Sequence, residues 1–370
     1  MSGKYLSDEQ IQEILYKSDS EVDSEEELIH DENSEIEDNI LPNEDDSSSS
    51  SYEEDSDEYD DENYITSRDG TKWRRTPHSA QRRTLRRNIL RVTPGLTAIS
   101  KNIETPISAF QLLFDDSIFN MIVDCSEKKA AQLGHPEWKL KRESLNAFIG
   151  ILILFGATRG RKESIKCVWR DDGAFCRPIF KATMGRDAFQ KILRFIRTDN
   201  HETRQERRVS DKLAPIREVW EMFTKNCQKC LVPESQMCVD EQLVGFRGRC
   251  PFRVYMKSKP DRYGIKIWAN CENPSGYVWN SQVYTGQISS APEKKQGQRV
   301  VLDLVKGLGQ GYGVTCDNFF TSLELAQELA KQNKTLLGTV RQIRKEVPRI
   351  MLPSKSREVN SSFFCFQEMQ

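Results

Sequence analysis

The chain has 370 residues, room for two domains or for one large domain with appendages, and its net charge of −2 conceals a strong split. Residues 1–64 hold 25 Asp/Glu against Lys4 and Lys17, a net of −23, so the remainder holds 52 Lys/Arg against 31 Asp/Glu, a net of +21. An acidic tail on a basic body points to a polyanion partner, and away from a membrane protein or an enzyme of small molecules. The longest apolar stretch, Leu145–Ala157, is too short to span a bilayer and fits a buried helix. The N-terminus has no basic start followed by an apolar run, so no secretory signal is expected and the ten cysteines read as reduced thiols. Cys227 and Cys230 form one Cys-x-x-Cys pair without a second at zinc-site spacing, so no zinc is expected.

Taken in order, residues 1–64 are acidic and Ser-rich, and their self-repulsion predicts disorder. Only Ser7–Tyr16 breaks the pattern, with Ser7 and Gln10 placed as a capping box for a short helix. Residues 65–105 then switch sign and read as a basic arm. Arg68, Lys72, Arg74, Arg75, Arg82, Arg83, Arg86, Arg87 and Arg91 face one acid, Asp69. Such spacing suits a flexible segment that follows phosphates, or a nuclear-localisation signal. The acidic tail could also fold back on this arm and compete with nucleic acid.

Residues 106–235 read as a helical domain. Apolar spacing predicts helices over Ser108–Cys125, 142–156, Gly185–Phe195 and Pro215–Lys229, each with a core-facing stripe. At Gln236 the period changes to that of strands: 237–246, 265–271 and 276–286, separated by turn signals. A helix over Gln298–Leu308, a strand over Gly313–Asp317, a helix over Thr321–Gln332 and a strand over Thr335–Val340 follow. Three meandering strands, then helix, strand, helix and strand, predict an α/β core with a mixed sheet of ribonuclease-H-like order over residues 236–345. The helix between the third and fourth strands is the crossover that returns the chain parallel to the first.

That order brings two acids to neighbouring strand ends, Asp240 and Asp317. Two carboxylates there can hold hard divalent cations for phosphoryl transfer, and Mg²⁺ suits oxygen ligands. An Asp at a strand end is by default a turn or cap residue, so spacing alone leaves both readings open. Immediately after Asp240 the chain turns basic, with Arg247, Arg249, Arg253, Lys257, Lys259, Arg262 and Lys266 against the single acid Asp261, and Phe246, Phe252, Tyr255 and Tyr263 threaded between them. A ribbon of this composition is either a solvated face or a nucleic-acid surface.

The stretches VDEQLVGFRGRCPFRVYMKSKPDRYGIKIW at 239–268, TCDNFFTSLELAQEL at 315–329 and LLGTVRQIRKEVP at 336–348 resemble piggyBac-type transposases and the host proteins derived from them. Weaker agreement at 110–118, 145–154 and 214–223 extends the resemblance from about Pro106 to the C-terminus. It implies a ribonuclease-H-like core, two-metal (Mg²⁺) chemistry, DNA cutting and joining at TTAA targets and action as multimers; the nuclear place of action is expected from the basic arm read as a localisation signal. It places the first catalytic and metal-binding aspartate on Asp240 and the second on Asp317. It also implies that the ribbon lies near the active face and holds DNA phosphates, whereas the same expectation for Arg74, Arg75, Arg82, Arg83, Arg86 and Arg87 comes from the spacing of the arm and not from the resemblance.

The family's third aspartate lies in a downstream Gly-Gly-Val-Asp segment, and no Asp follows Asp317 among the 370 residues. Residues 346–370 read as the start of an insertion region in a truncated chain. The expectation is therefore a transposase-derived, DNA-binding remnant with an incomplete carboxylate triad and an exposed flank of sheet. The alternatives are an active transposase, if a longer form supplies the third aspartate, and an interaction protein worked by the acidic tail. A homodimer is expected from the resemblance alone.

Overall fold

The computed structural model describes residues 29–30, 63–77, 86–158, 160, 163–170, 176–286, 293–354 and 357–367. The Ser7–Tyr16 helix and most of the tail expected to be disordered over 1–64 lie outside the described residues; of the rest, Ile29–His30 and Tyr64 stand in strands, against that expectation. The described residues form two compact units, one of those within 102–226 and one of those within 28–101 together with those within 227–367.

In chain order the strands are β1 (Ile29–His30), β2 (Tyr64–Thr66), β3 (Lys72–Arg74) and β4 (Gly95–Leu96). Eight helices follow: α1 (Pro106–Leu113), α2 (Asp116–Gln132), α3 (Arg142–Ala157), α4 (Ile165–Val168), α5 (Pro178–Thr183), α6 (Arg186–Phe195), α7 (Arg204–Ser210) and α8 (Arg217–Cys230). The next segments are β5 (Leu231–Val232), β6 (Gln236–Gly245), β7 (Val254–Tyr255), β8 (Tyr263–Glu272) and β9 (Val278–Val283). Then come α9 (Gln296–Leu304), β10 (Gly313–Cys316), α10 (Leu323–Lys331) and β11 (Thr335–Gly338).

The first unit is helical. The single helix expected over Ser108–Cys125 is two, because Asp115 caps the second: its side chain accepts from Ile118 N at 3.1 Å. The core joins Ile118, Phe119 and Ile122 of α2, Leu145, Phe148 and Ile151 of α3, and Phe189 and Ile192 of α6. Burial of each such side chain contributes about 1.5–3 kcal/mol. The Leu145–Ala157 stretch is buried on one face only, for Leu152 and Ile153 on the other are 45% and 60% exposed. After α6 the buried Asp199 accepts from Arg204 and Arg207, at 2.5 and 2.7 Å, and locks the turn into α7. Sequence reading did not single out this lock.

The second unit is a mixed α/β body. Its seven-stranded sheet runs β1-β7-β8-β6-β10-β11, with β9 also on β8. β6 and β8 are antiparallel over nine residue pairs, from Met237 with Glu272 to Gly245 with Gly264, a long hairpin whose alternation buries Met237 and Val239 on one strand and Trp268 on the other. β10 lies parallel to β6, and β11 parallel to β10, so the crossover through α9 is the expected one. α9 packs Val300, Val301 and Leu304 onto the sheet core, and Asn270 and Asn280 both donate to Leu304 O, at 3.1 and 2.9 Å.

The arm expected to be flexible is built into this unit. β2 and β3 form a hairpin around an Asp69-Gly70 turn, where Gly70 takes φ 85. Arg74 N donates to Phe366 O at 2.6 Å, and Phe366 N returns to Arg74 O at 2.8 Å.

Candidate functional site

The parallel register between β6 and β10 decides the site. Gly313 pairs with Gln236, Val314 with Met237, Thr315 with Cys238 and Cys316 with Val239. One further step sets Asp317 beside Asp240. Both residues are exposed, at the point where β10 ends and β6 continues.

Local bonds hold each carboxylate in place. Asp240 Oδ1 accepts from Glu241 N at 2.7 Å. Asp317 closes a turn: its Oδ1 accepts from Phe319 N at 3.0 Å, while its carbonyl accepts from Thr321 N at 3.1 Å and Thr321 Oγ1 at 2.7 Å. The Asp317 carboxyl titrates above the usual carboxylate range. Although the residue as a whole is exposed, desolvation by the protein packed around its carboxyl is the main cause, followed by the Glu241 carboxylate and then Asp240, and backbone N–H groups of Phe319 and Phe320 oppose them. A bound cation would relieve that crowding of negative charge. The donor set, two carboxylates at adjoining strands, therefore fits a hard divalent ion. Among the described residues no group of three His, Cys, Asp or Glu converges on one point, so the protein offers two close ligands rather than a closed cage.

Glu241 and Lys266 lie on the opposite, core-facing side of the hairpin. Glu241 pairs across the sheet with Trp268, and its carboxylate stands 3.5 Å from both Lys259 Nζ and Lys266 Nζ. Lys266 is fully buried, with its ammonium 5.2 Å from the Phe319 ring, 5.6 Å from Trp268 and 5.8 Å from Tyr284. Lys266, counted among the cations of the ribbon, therefore does not belong to its solvent-facing surface: it is fully buried and pairs with Glu241, whose carboxylate also acts on Asp317. Period-two alternation from the exposed Gln242 could have revealed this, since it puts Glu241 on the Val239 face.

The other ribbon residues divide. Arg247, Arg249, Lys257 and Arg262 are exposed. Lys259 is tied to Glu241. Arg253 turns inward, Nη1 donating to Gly248 O at 2.9 Å and to Arg247 O at 3.3 Å, so it shapes the loop between β6 and β7. In the arm, Arg74 stacks 5.9 Å over the Tyr64 ring, Arg75 is half-buried and Arg86 is exposed. Arg82 and Arg83 lie outside the described residues, as does the side chain of Arg87.

Close packing supports the Asp317 turn from beneath. A Cβ on Gly297, in the first turn of α9, would stand 2.7 Å from Phe319 O and 3.0 Å from Phe320 Cα. Gly297→Ala is therefore expected to cost about 1–3 kcal/mol by pushing on backbone that cannot yield. Wild-type resistance to urea in that variant would refute the close fit. A cavity of about 460 Å³ opens beside the turn, lined by Phe319, Phe320, Arg341, Arg344 and Glu346 among others. No helix is long and apolar enough to cross a membrane among the described residues.

Comparison with known proteins places this arrangement in context. Residues 105–368 match the family described as Transposase IS4. The chain is 25% identical over 260 residues to the human PiggyBac transposable element-derived protein 3, covering 68% of this chain and 42% of that protein. It is 24% identical over 281 residues to the human PiggyBac transposable element-derived protein 2, covering 74% and 46%. Among solved structures it resembles a chain of the piggyBac transposase synaptic complex with hairpin DNA, with a TM-score of 0.68 and 32% identity over 75% of this chain and 59% of that one. The chain thus spans less than half the length of these two curated relatives.

Proposed function

Because the chain belongs to the piggyBac-type transposase family, we propose that it is a DNA-binding protein organised around a transposase-type metal site. The observation that carries the reading is the β6–β10 register, which sets Asp240 beside Asp317. The sheet is read as ribonuclease-H-like, Asp240 and Asp317 as ligands of Mg²⁺, and the nucleus as the place of action, with a homodimer as the working form. When bound, the metal would supply charge neutralisation and an activated oxygen nucleophile at a phosphodiester. The chain's own residues orient it: the Glu241 amide and the Phe319 amide each fix one carboxylate oxygen. The exposed cations Arg247, Arg249, Lys257, Arg262 and Arg86 track the phosphate backbone.

Within these 370 residues two of the family's three carboxylates are present, so the polypeptide is proposed to bind DNA without cutting it at TTAA. The matched stretch covers less than half of each curated relative, which keeps one further reading in view: a longer form that supplies the third acid and cuts. The test is a TTAA-containing duplex titrated with the 370-residue protein in Mg²⁺ at several salt concentrations. Binding that weakens steeply with salt, with the log–log slope shallower by about 0.9 for each phosphate contact removed in Arg247→Gln or Arg249→Gln, is expected, without nicking. Mg²⁺-dependent nicking abolished by Asp240→Ala would overturn the non-cutting reading. Absence of binding even at low salt would remove the DNA reading altogether.

A further inference from the structure

The strand that leads to Asp317 is short. Beyond Cys316 no sheet bond holds the chain, and the turn 317–321 relies on its own hydrogen bonds and on what packs against it. A metal ligand must be held to within about 0.5 Å and 10–20° of its productive geometry, so whatever grips this turn from outside matters.

The grip comes from the segment 341–346. Arg341 Nε donates to Asn318 Oδ1 at 3.4 Å, and its guanidinium lies 6.0 Å from the centre of the Phe319 ring. Arg344 Nη2 donates to Thr321 O at 3.3 Å. Two guanidinium groups thus reach the turn three residues apart, one on each side of Phe319 and Phe320.

That segment is in turn held by the hairpin of β2 and β3. Arg68, at the hairpin's tip, directs Nη2 at three consecutive carbonyls, those of Gln342 at 3.4 Å, Ile343 at 3.3 Å and Arg344 at 2.9 Å. Trp73 Nε1 donates to Glu346 O at 3.0 Å. Asp69 and Thr71 of the hairpin line the same cavity as Phe319 and Arg341. The tip itself is stiff, since Asp69 Oδ1 accepts from Ser67 Oγ at 2.6 Å and Thr71 N at 3.0 Å.

We propose that the Tyr64–Arg74 hairpin is a positioning device for Asp317, acting through residues 341–346, with Arg68 and Trp73 as positioning residues. The role rests on the reading of Asp317 as a metal ligand, but the mechanical linkage does not. Separation in sequence explains why it is invisible there: Arg68 and Arg344 are 276 residues apart. A basic arm and a site turn, unrelated on the page of letters, form one construction.

The test uses the full 370-residue chain with Arg68→Ala, Arg68→Lys, Trp73→Phe and, from the other side, Arg341→Gln. Backbone hydrogen exchange and Mn²⁺ binding by electron paramagnetic resonance are read together. Arg68→Ala and Trp73→Phe are expected to speed exchange about tenfold both at 342–346 and at 318–321, leaving β6 and β8 protected. Mn²⁺ affinity should fall by about 10–100-fold, as for loss of an outer-shell support. Arg68→Lys should restore it only in part, because an ammonium cannot reproduce the planar fork. Arg341→Gln should speed exchange at 318–321 without loosening 64–74, which keeps the proposal testable if a hairpin variant fails to fold. Faster exchange confined to 342–346, with the Asp317 turn and Mn²⁺ affinity unchanged, would overturn the proposal. Should the wild-type chain bind no Mn²⁺, the metal-ligand reading falls, and exchange at 318–321 still decides the linkage.

Discussion

Lys266→Ala is expected to destabilise the sheet unit by about 3 kcal/mol, whereas Lys266→Met should cost about 1 kcal/mol. The ammonium sits fully buried against Glu241 and three aromatic rings. Truncation removes the aliphatic stem that fills this space and the cation that faces the rings, interactions worth up to about 2 kcal/mol when desolvated. It also leaves Glu241, whose side chain is 12% exposed, with Lys259 alone. Methionine restores most of the packed volume, so only the loss of charge remains. Hydrogen exchange of the β8 amides in denaturant isolates the sheet unit from the helical one and is the appropriate measurement. Equal protection in the alanine variant and the wild type would show that the buried cation is not a structural support.

Asp240→Ala is expected to weaken Mn²⁺ binding by more than the roughly 10–100-fold that follows loss of an outer-shell partner, because it removes a direct ligand. The fold should survive, since Asp240 is exposed and its side chain accepts from the amide of the neighbouring Glu241. Asp317→Asn offers the complementary test. It keeps the shape and the acceptor oxygen for Phe319 N, but removes the charge a cation needs. Binding by calorimetry or by manganese resonance separates the cases. Undiminished affinity in both variants would place any ion elsewhere in the chain and dismantle the site.

The two aspartates were approachable from sequence because strand period, turn residues and the crossover helix are local signals, and they implied that the two strands lie side by side. The parallel pairing of Cys316 with Val239 is that implication in coordinates. Lys266 was counted with the ribbon's cations because composition counts charges without assigning them a face. The pairing of Glu241 with Trp268 shows that this side of β6 is buried. The helix expected over Ser108–Cys125 split because apolar periodicity continues smoothly through Asp115, while a cap acts on a single amide. The arm around Arg68 was taken as free because its partners are carbonyls, which every residue carries and no motif marks.

By itself the sequence determined the class of the body, a mixed α/β core after a helical region, and the kinship that goes with its long motifs. It also put Asp240 and Asp317 on neighbouring strands, since that depends on order along the chain; the expected strand-end position holds for Asp317, which follows β10, but Asp240 lies in the middle of β6. Tertiary structure alone decided which cations face solvent and which are walled in behind Glu241. It alone joined the hairpin at Arg68 to the turn at Asp317. Those outcomes depend on contacts between residues distant in sequence, 25 positions apart for Glu241 and Lys266 and 276 for Arg68 and Arg344, whose closeness is set by packing of the whole sheet.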